Sequence, residues 1–394
     1  MDLELSPALR DFRDEVRTWF AEHLVGEFAE HRGVGFSWDD AAWDVRVAWE
    51  KELSAGGWLC LGWPKQYGGR EASVDEQLVF HLEYARANPP YRAASQGEDL
   101  FGPTLLAYGT EAQKQRFLPK IVAVEEFWGQ GFSEPGAGSD LAGLRTKAVL
   151  DGDEWVIDGQ KVWTSVGTRA DWMYVLCRTD LAAPRHRGIS MILVPVDQPG
   201  VEVRPIRNIV GGAEFCEVFF NGARTSADLV VGEVNSGWNV AMGALGTERG
   251  TTLLAEHLRI AREVDEMIGA ARDSGLEHSA VMRADLARAW TDAKIMEWNG
   301  LRLMSTLKGG GGDPAAQASM NKVFASESHI RMGELAMLAQ GARSELVGAC
   351  YELDRLQQIF LTSRAESIYG GTTQIQFNVL AERTLGLPRE PRPG

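Results

Sequence analysis

At 394 residues the chain is long enough for two or three subdomains with large buried cores, and 44% hydrophobic with 24% charged residues is the make-up of an ordinary soluble globular protein. A formal net charge of -15 argues against nucleic acid or an anionic membrane surface as the main partner, but leaves room for a local basic patch that takes a small anionic ligand. Cys60, Cys177, Cys216 and Cys350 are scattered without C-x-x-C spacing, so they read as buried thiols of a reducing compartment, with no disulfide framework and no metal site expected.

The N-terminus "MDLELSPALRDF" carries acids where a signal peptide needs a basic and then an apolar region, and no apolar run reaches membrane-spanning length. A cytoplasmic protein without membrane insertion is therefore expected. Ser6-Pro7 supplies an N-cap and a first-turn proline, and Leu9, Phe12, Val16, Phe20 and Leu24 then recur at helical spacing. Helical texture continues through the first third, broken at "GWPKQYGG" and "NPP", and changes near Ile121.

From there to about Asn235, turn signals separate β-rich runs. "AVLDGDEWVIDGQKVWTS" holds two Asp-Gly pairs flanked by β-formers, "DWMYVLCRT" alternates faces, and "GISMILVPV" and "AEFCEVFF" read as short apolar strands. After "GEVNSGWN" helices return, with Leu254, Leu258, Ala261, Val264 and Ile268 predicted as one apolar stripe and "KGGGGDP" as a flexible loop between helices. Helices, then strands, then helices is not the alternation of a nucleotide-binding parallel sheet, and no strand leads into G-x-G-x-x-G.

One stretch stands out. "FSEPGAGSD", from Phe132 to Asp140, places two acids, a proline, two glycines and two serines after the apolar run at Trp128. Read alone it is either a glycine-rich surface turn or a wall built to hold something flat or anionic, because glycine lets backbone approach a ligand and short hydroxyls donate beside it.

Together with "GQKVWTSVGTRADWMYVLCRT" and "IYGGTTQIQFNVLAERTLGLP", that stretch resembles the acyl-CoA dehydrogenase family of flavoproteins, in order and spacing across essentially the whole chain. The resemblance implies an α+β fold: an N-terminal helical domain over residues 1–120, a middle β-barrel-like domain over 121–235 and a C-terminal four-helix bundle over 236–394. It implies FAD as cofactor, an acyl-CoA thioester as substrate and an electron-transfer flavoprotein as acceptor. Phe132 and Ser133 would meet the pyrimidine side of the flavin, and Ser139 would lie by the flavin or the thioester arm. Trp163 would pack on the isoalloxazine, with Ser165 at its N5, while Thr372 and Gln374 would meet the nucleotide end. Taken alone, Trp163 reads as one of 13 tryptophans packing a core.

Oxidising an acyl thioester to its enoyl form needs a base and a hydride acceptor on opposite sides of the acyl chain, and a polarised thioester carbonyl. Many family members carry the base as Glu in a Tyr-Glu-Gly-Thr stretch; here Tyr369-Gly370-Gly371-Thr372 has no carboxylate. Other members carry it on an earlier helix within a Glu-Arg pair, and "LGTERGTT" puts Glu248-Arg249 there. Three and four residues from Glu248 lie Ala244, Leu245, Thr251 and Thr252, a small and apolar helix face, although a solvated charge is the usual fate of Glu. The resemblance thus makes Glu248 the base and gives Gly370 the amide that polarises the carbonyl. Arg249 would orient the helix and, with Ser139 and Tyr369, border the substrate. The missing side chain at Gly370 leaves volume for a branched or bulky acyl group, and a resemblance to actinobacterial steroid side-chain dehydrogenases implies a steroid one.

Two family stretches that reach a neighbouring subunit's FAD are degraded, at "ARDSGLEHSAVMRADLA" and "LAQGARSELVG". A tetramer is expected, either α2β2 with a related chain or a homomer that holds FAD by other residues. A flavin oxidase or monooxygenase on the same fold, and a non-catalytic subunit, are the competing functional readings.

Overall fold

The structure is a computed structural model that describes residues 5–34, 42–247, 256–307 and 313–389. The described residues of 1–77 and 88–248 form one compact unit, and those of 78–87 and 249–394 a second. Among the described residues no helix is long and apolar enough to cross a membrane.

In the first unit, α1 (Pro7–His23) starts as the sequence dictates, with the Ser6 hydroxyl accepting from the Leu9 amide at 3.3 Å and Phe12, Val16 and Phe20 buried. It is followed by α2 (Glu27–Glu30), α3 (Trp43–Ala55), α4 (Val74–Ala87, whose residues from 78 on belong to the second unit), α5 (Gly102–Tyr108) and α6 (Glu111–Val122). A Thr110–Gln113 capping box opens α6, and the buried Gln113 also donates to the carbonyls of Asp228 and Val230 at 2.7 and 2.9 Å. One side chain therefore both starts the helix and docks it on the strand region.

Eight strands follow: β1 (Trp128–Gly131), β2 (Lys147–Asp151), β3 (Glu154–Ser165), β4 (Trp172–Arg178), β5 (Ile189–Pro195), β6 (Val201–Ile206), β7 (Phe215–Ser226) and β8 (Val230–Val231). Their order is β6-β7-β3-β2-β4-β5-β8, with β1 parallel to β4. Strands from both ends of that path share one core of Trp155, Ile157, Val175, Ile192, Val218 and Phe220, and Thr225 of β7 donates to the Leu193 carbonyl of β5 at 2.8 Å. The sheet has curled on itself, as the β-barrel-like expectation required. β1 is pinned by stacked rings, Phe101 on Trp128 at 3.7 Å and on Tyr174 at 5.2 Å. The helix α7 (Gly237–Thr247) closes the unit.

Three strand expectations need correction. The first Asp-Gly pair does mark the β2–β3 hairpin, whose two turn residues are Gly152, at φ 66°, and Asp153, with Asp151 still in β2, whereas Asp158-Gly159 lies inside β3 at a register shift. A Cβ on Gly159 would lie 2.5 Å from the Thr146 hydroxyl, so this glycine serves a bulge and a close approach. β4 does not alternate. Every residue from Met173 to Arg178 is buried, because the strand has β1 and β5 as neighbours and is covered on both faces. β7 is a 12-residue strand, longer than "AEFCEVFF" suggested.

The second unit holds α8 (Glu256–Asp273), α9 (Ala280–Leu307), α10 (Pro314–Gln340), α11 (Arg355–Glu366) and α12 (Thr373–Val379). Asp313 caps α10, and Asp354–Gln357 is a capping box on α11. The core stripe of α8 is Ile260, Val264, Met267 and Ala271. The predicted stripe is therefore displaced: Leu258, Ala261 and Ile268 are half-buried, and Leu254 lies outside the described residues. The rotation brings Arg259 and Glu263 inward, where Glu263 meets His329 of α10 at 2.8 Å. Most of the "KGGGGDP" loop also lies outside the described residues. Cys60, Cys177 and Cys216 are buried as expected, but Cys350 is exposed.

Candidate active site

Phe132 to Asp140 leaves β1 and turns back on itself through paired backbone bonds between Glu134 and Ala137 at 3.1 and 3.0 Å. Within the loop, Phe132, Glu134 and Ala137 face inward, while Pro135, Gly136, Gly138 and Ser139 are exposed. Neither Gly136 nor Gly138 has a heavy atom within 4 Å of where a Cβ would sit. The protein itself thus leaves open space above these glycines.

The loop is anchored by a pair that sequence reading missed. Lys161 is fully buried, and its ammonium donates to Glu134 Oε1 at 2.8 Å and to the Phe132 carbonyl at 3.1 Å. Glu134, 8% exposed, also accepts from the amides of Arg145 and Thr146 at 2.7 and 2.8 Å. Burial pushes the Glu134 carboxyl up, but the Lys161 charge and these hydrogen bonds outweigh it and hold the group below its ordinary value. Burial pushes the Lys161 ammonium down, against the pull of Glu134. The Ser133 carbonyl accepts from the Val162 amide at 2.9 Å, so the loop is laid along β3. Beyond it, buried Arg178 donates to the carbonyls of Ala142 and Arg185, and Arg185 pairs with Asp140.

Trp163 is not a core residue. Between the pairs Lys161–Val218 and Thr164–Cys216, two residues of β3 oppose one of β7, so Val162 and Trp163 form a β-bulge. Trp163 sits there at φ 61° with 61% of its surface exposed, its ring edge-on to Phe215 at 6.3 Å. A large aromatic in left-handed backbone, presented to solvent, is doubly unfavourable for an isolated fold and marks a site where strain serves a ligand. Next to it Thr164 is fully buried and its hydroxyl has no hydrogen-bond partner among the described residues, while Ser165 ends β3 half-buried. The open-glycine loop, held by the Lys161–Glu134 ion pair, and the indole presented from the neighbouring bulge of β3 are surfaces that fit the flat ring of a flavin.

Tyr369, Gly370, Thr372 and Gln374 belong to the second unit. After α11 the chain turns through Tyr369, 42% exposed, and two glycines at φ 62° and 90°, into α12. The Thr372 hydroxyl caps that helix by accepting from the Ile375 amide at 3.2 Å, and Gln374 is exposed. The turn is braced from behind. Lys322 donates to the Glu366 carbonyl at 2.5 Å, and the Glu366 side chain meets His329 Nδ1 at 2.8 Å. His329, 1% exposed, is flanked by Glu263 and Glu366; burial opposes its charge, but the two carboxylates prevail and raise it to about 9. Glu248 and Arg249 lie outside the described residues.

Against known proteins, the acyl-CoA dehydrogenase N-terminal, middle and C-terminal domain profiles match residues 6–125, 129–223 and 235–385. Acyl-CoA dehydrogenase IpdE1 of Mycobacterium tuberculosis is 46% identical over 385 residues, covering 98% of this chain and 99% of that protein. FadE26 of the same organism is 33% identical over the full length of both. Among solved structures, the Tcur3481-Tcur3483 steroid ACAD superposes with a TM-score of 0.86 at 34% identity, over 99% of this chain and 100% of that one. The ChsE4-ChsE5 complex from Mycobacterium tuberculosis gives 0.82 at 32% identity, over 99% of this chain and 100% of that one. By its profiles, its relatives and its fold, this chain belongs to the acyl-CoA dehydrogenase family of oxidoreductases.

Proposed function

We propose that this chain is an FAD-dependent dehydrogenase that converts an acyl-CoA thioester to its α,β-enoyl form and passes the electrons to an electron-transfer flavoprotein. The observation that carries the reading is Trp163, an exposed indole held in left-handed backbone beside the open glycines of Phe132–Asp140. Phe132, Ser133, Trp163 and Ser165 would hold the ring of the flavin, and Thr372 and Gln374 its nucleotide end. The bound flavin supplies the hydride acceptor.

The chain's own groups supply the rest. Glu248 takes the α-proton, and a carboxylate in a dry pocket is a strong enough base for that step because desolvation favours its protonated form. The Gly370 amide donates to the thioester oxygen, where charge develops as the proton leaves. Ser139, Arg249 and Tyr369 border the substrate. The bare Gly370, with 4.0 Å to the nearest atom from its Cβ position, favours a bulky acyl group, and the likeness to a steroid ACAD points to a polycyclic one.

We further infer an α2β2 assembly with a related chain. The exposed Trp290 and Trp298 of α9 and Met320 of α10 offer apolar surface for such a partner, in line with the degraded FAD-reaching stretches and with the likeness to the ChsE4-ChsE5 complex.

The test is anaerobic mixing of the flavin-loaded protein, with and without a candidate partner chain, against a panel of acyl-CoA thioesters. Flavin bleaching with slow reoxidation in air is expected. Rapid peroxide formation would make the protein an oxidase. Glu248→Gln should lower turnover by roughly 10²–10⁴-fold; full turnover in that variant would make this a silent subunit.

A further inference from the structure

Gln376 of α12 is fully buried, and its carboxamide is used on one side only. Nε2 donates to the Gly370 carbonyl at 3.2 Å, while Oε1 is buried with no hydrogen-bond partner among the described residues. Because the Gly370 oxygen can only accept, the carboxamide must present its nitrogen there. A buried acceptor without a partner is costly, so the side chain earns its place through what Nε2 holds.

The backbone is shaped to admit that contact. Gly371 has φ 90°, and a Cβ there would lie 2.5 Å from Gln376 Nε2. The ends of the turn are fixed by other bonds. The Tyr369 amide donates to the Ala365 carbonyl at 3.0 Å, and the Thr373 amide to the Ser367 carbonyl at 3.0 Å. Between these anchors lie two consecutive glycines, which without restraint populate both signs of φ. Gly370 is exposed at φ 62° with open space beside its α-carbon, and Gln376 is what grips its carbonyl.

We propose that Gln376 is a positioning residue: its carboxamide grips the Gly370 carbonyl and so fixes the Gly370 backbone between its two peptides, holding the N–H of the preceding Tyr369–Gly370 peptide toward the thioester carbonyl. The inference rests on the acyl-CoA dehydrogenation reading, in which that N–H polarises the substrate. Gln376 touches no reacting atom. It acts by removing the conformational spread of a di-glycine hinge, and misaiming a polarising donor by about 1 Å costs roughly 10²-fold in rate.

The experiment uses the flavin-loaded protein with Gln376→Ala, Gln376→Glu and Gly371→Ala. The readouts are flavin content, kcat and KM for an acyl-CoA the wild type oxidises, and the infrared carbonyl stretch of a bound, non-oxidisable acyl-CoA thioester. Gln376→Ala should lower kcat at least about tenfold with flavin content kept, and return the carbonyl stretch toward its value in water. Gln376→Glu should be worst when ionised, because a carboxylate repels the Gly370 oxygen, and should regain kcat as pH falls and a protonated carboxyl donates in its place. A wild-type kcat and stretch in Gln376→Ala, or parallel pH profiles for the Ala and Glu variants, would overturn the proposal. Should the Gln376 variants fail to fold, Gly371→Ala crowds the same carboxamide from the backbone side, and a wild-type kcat there overturns it equally. A wild type that oxidises no thioester and shows no bleaching would instead remove the dehydrogenase reading itself, and this inference with it.

Discussion

Replacing Lys161 by Met is the most direct probe of what holds the Phe132–Asp140 loop. The ammonium is fully buried, 2.8 Å from Glu134 and 3.1 Å from the Phe132 carbonyl. Removing it leaves a carboxylate that is 8% exposed with two backbone amides as its remaining close donors. Stranding one member of a buried pair costs about 3–5 kcal/mol, and the two amides place this case at the lower end, about 3 kcal/mol. At roughly 2–4 °C per kcal/mol, the melting temperature should fall by about 6–12 °C.

Melting followed by circular dichroism, with flavin counted per chain, reads both consequences, since the Phe132 carbonyl loses its donor together with Glu134. Glu134→Gln in the same background removes the stranded charge, so the double variant should be more stable than Lys161→Met alone. The pH dependence has a definite sign. Glu134 titrates below its ordinary 4.5, so the pair's contribution is complete above that pH and is lost as pH falls through the lower folded value. Lys161→Met should flatten that acid limb. A Lys161→Met protein within about 0.5 kcal/mol of wild type, or a double variant whose loss equals the sum of the singles, would refute the buried-pair argument.

Trp163→Gly should separate stability from cofactor binding. Glycine suits φ 61° better than tryptophan, so the melting temperature of the flavin-free protein should hold or rise. Flavin affinity should drop roughly thirtyfold, because the indole's apolar packing on the ring is worth about 2 kcal/mol; equal losses in both measurements would mean Trp163 is structural. His329→Gln should lower the stability of the second unit by up to about 3 kcal/mol, since its pKa near 9 lies well above the ordinary 6.5. That contribution is complete below pH 6.5 and is lost as pH rises toward 9, while Glu263, held at about 2, loses its share only below about pH 4.5. Urea midpoints across pH 4–10 should therefore converge for wild type and variant at the alkaline end, and a constant gap would count against the ion cluster.

Much of the architecture is written locally. Ser6-Pro7, the Thr110–Gln113 box and the Asp313-Pro314 start are caps whose bonds span only a few residues, and Gly152-Asp153 is a hairpin turn for the same reason. The three motif-bearing stretches, in their order, were enough for the family. Other features depend on who the neighbours are. β4 could not be read as buried on both faces until its partners were in place, and Asp158-Gly159 looks like a turn until the Thr146 backbone comes against it. The α8 stripe turned because Glu263 had His329 to meet from a helix 66 residues away.

The site divides the same way. The family resemblance pointed to Trp163 and Tyr369–Thr372 as candidates, because motifs in a fixed order mark positions that no single residue marks by itself. Sequence could not decide that Trp163 would be presented on a bulge, that Lys161 would reach across 27 residues to Glu134, or that Gln376 would grip Gly370. Each of those is a long-range or conformational choice, fixed only when packing takes water away from a polar group and leaves it a single available partner.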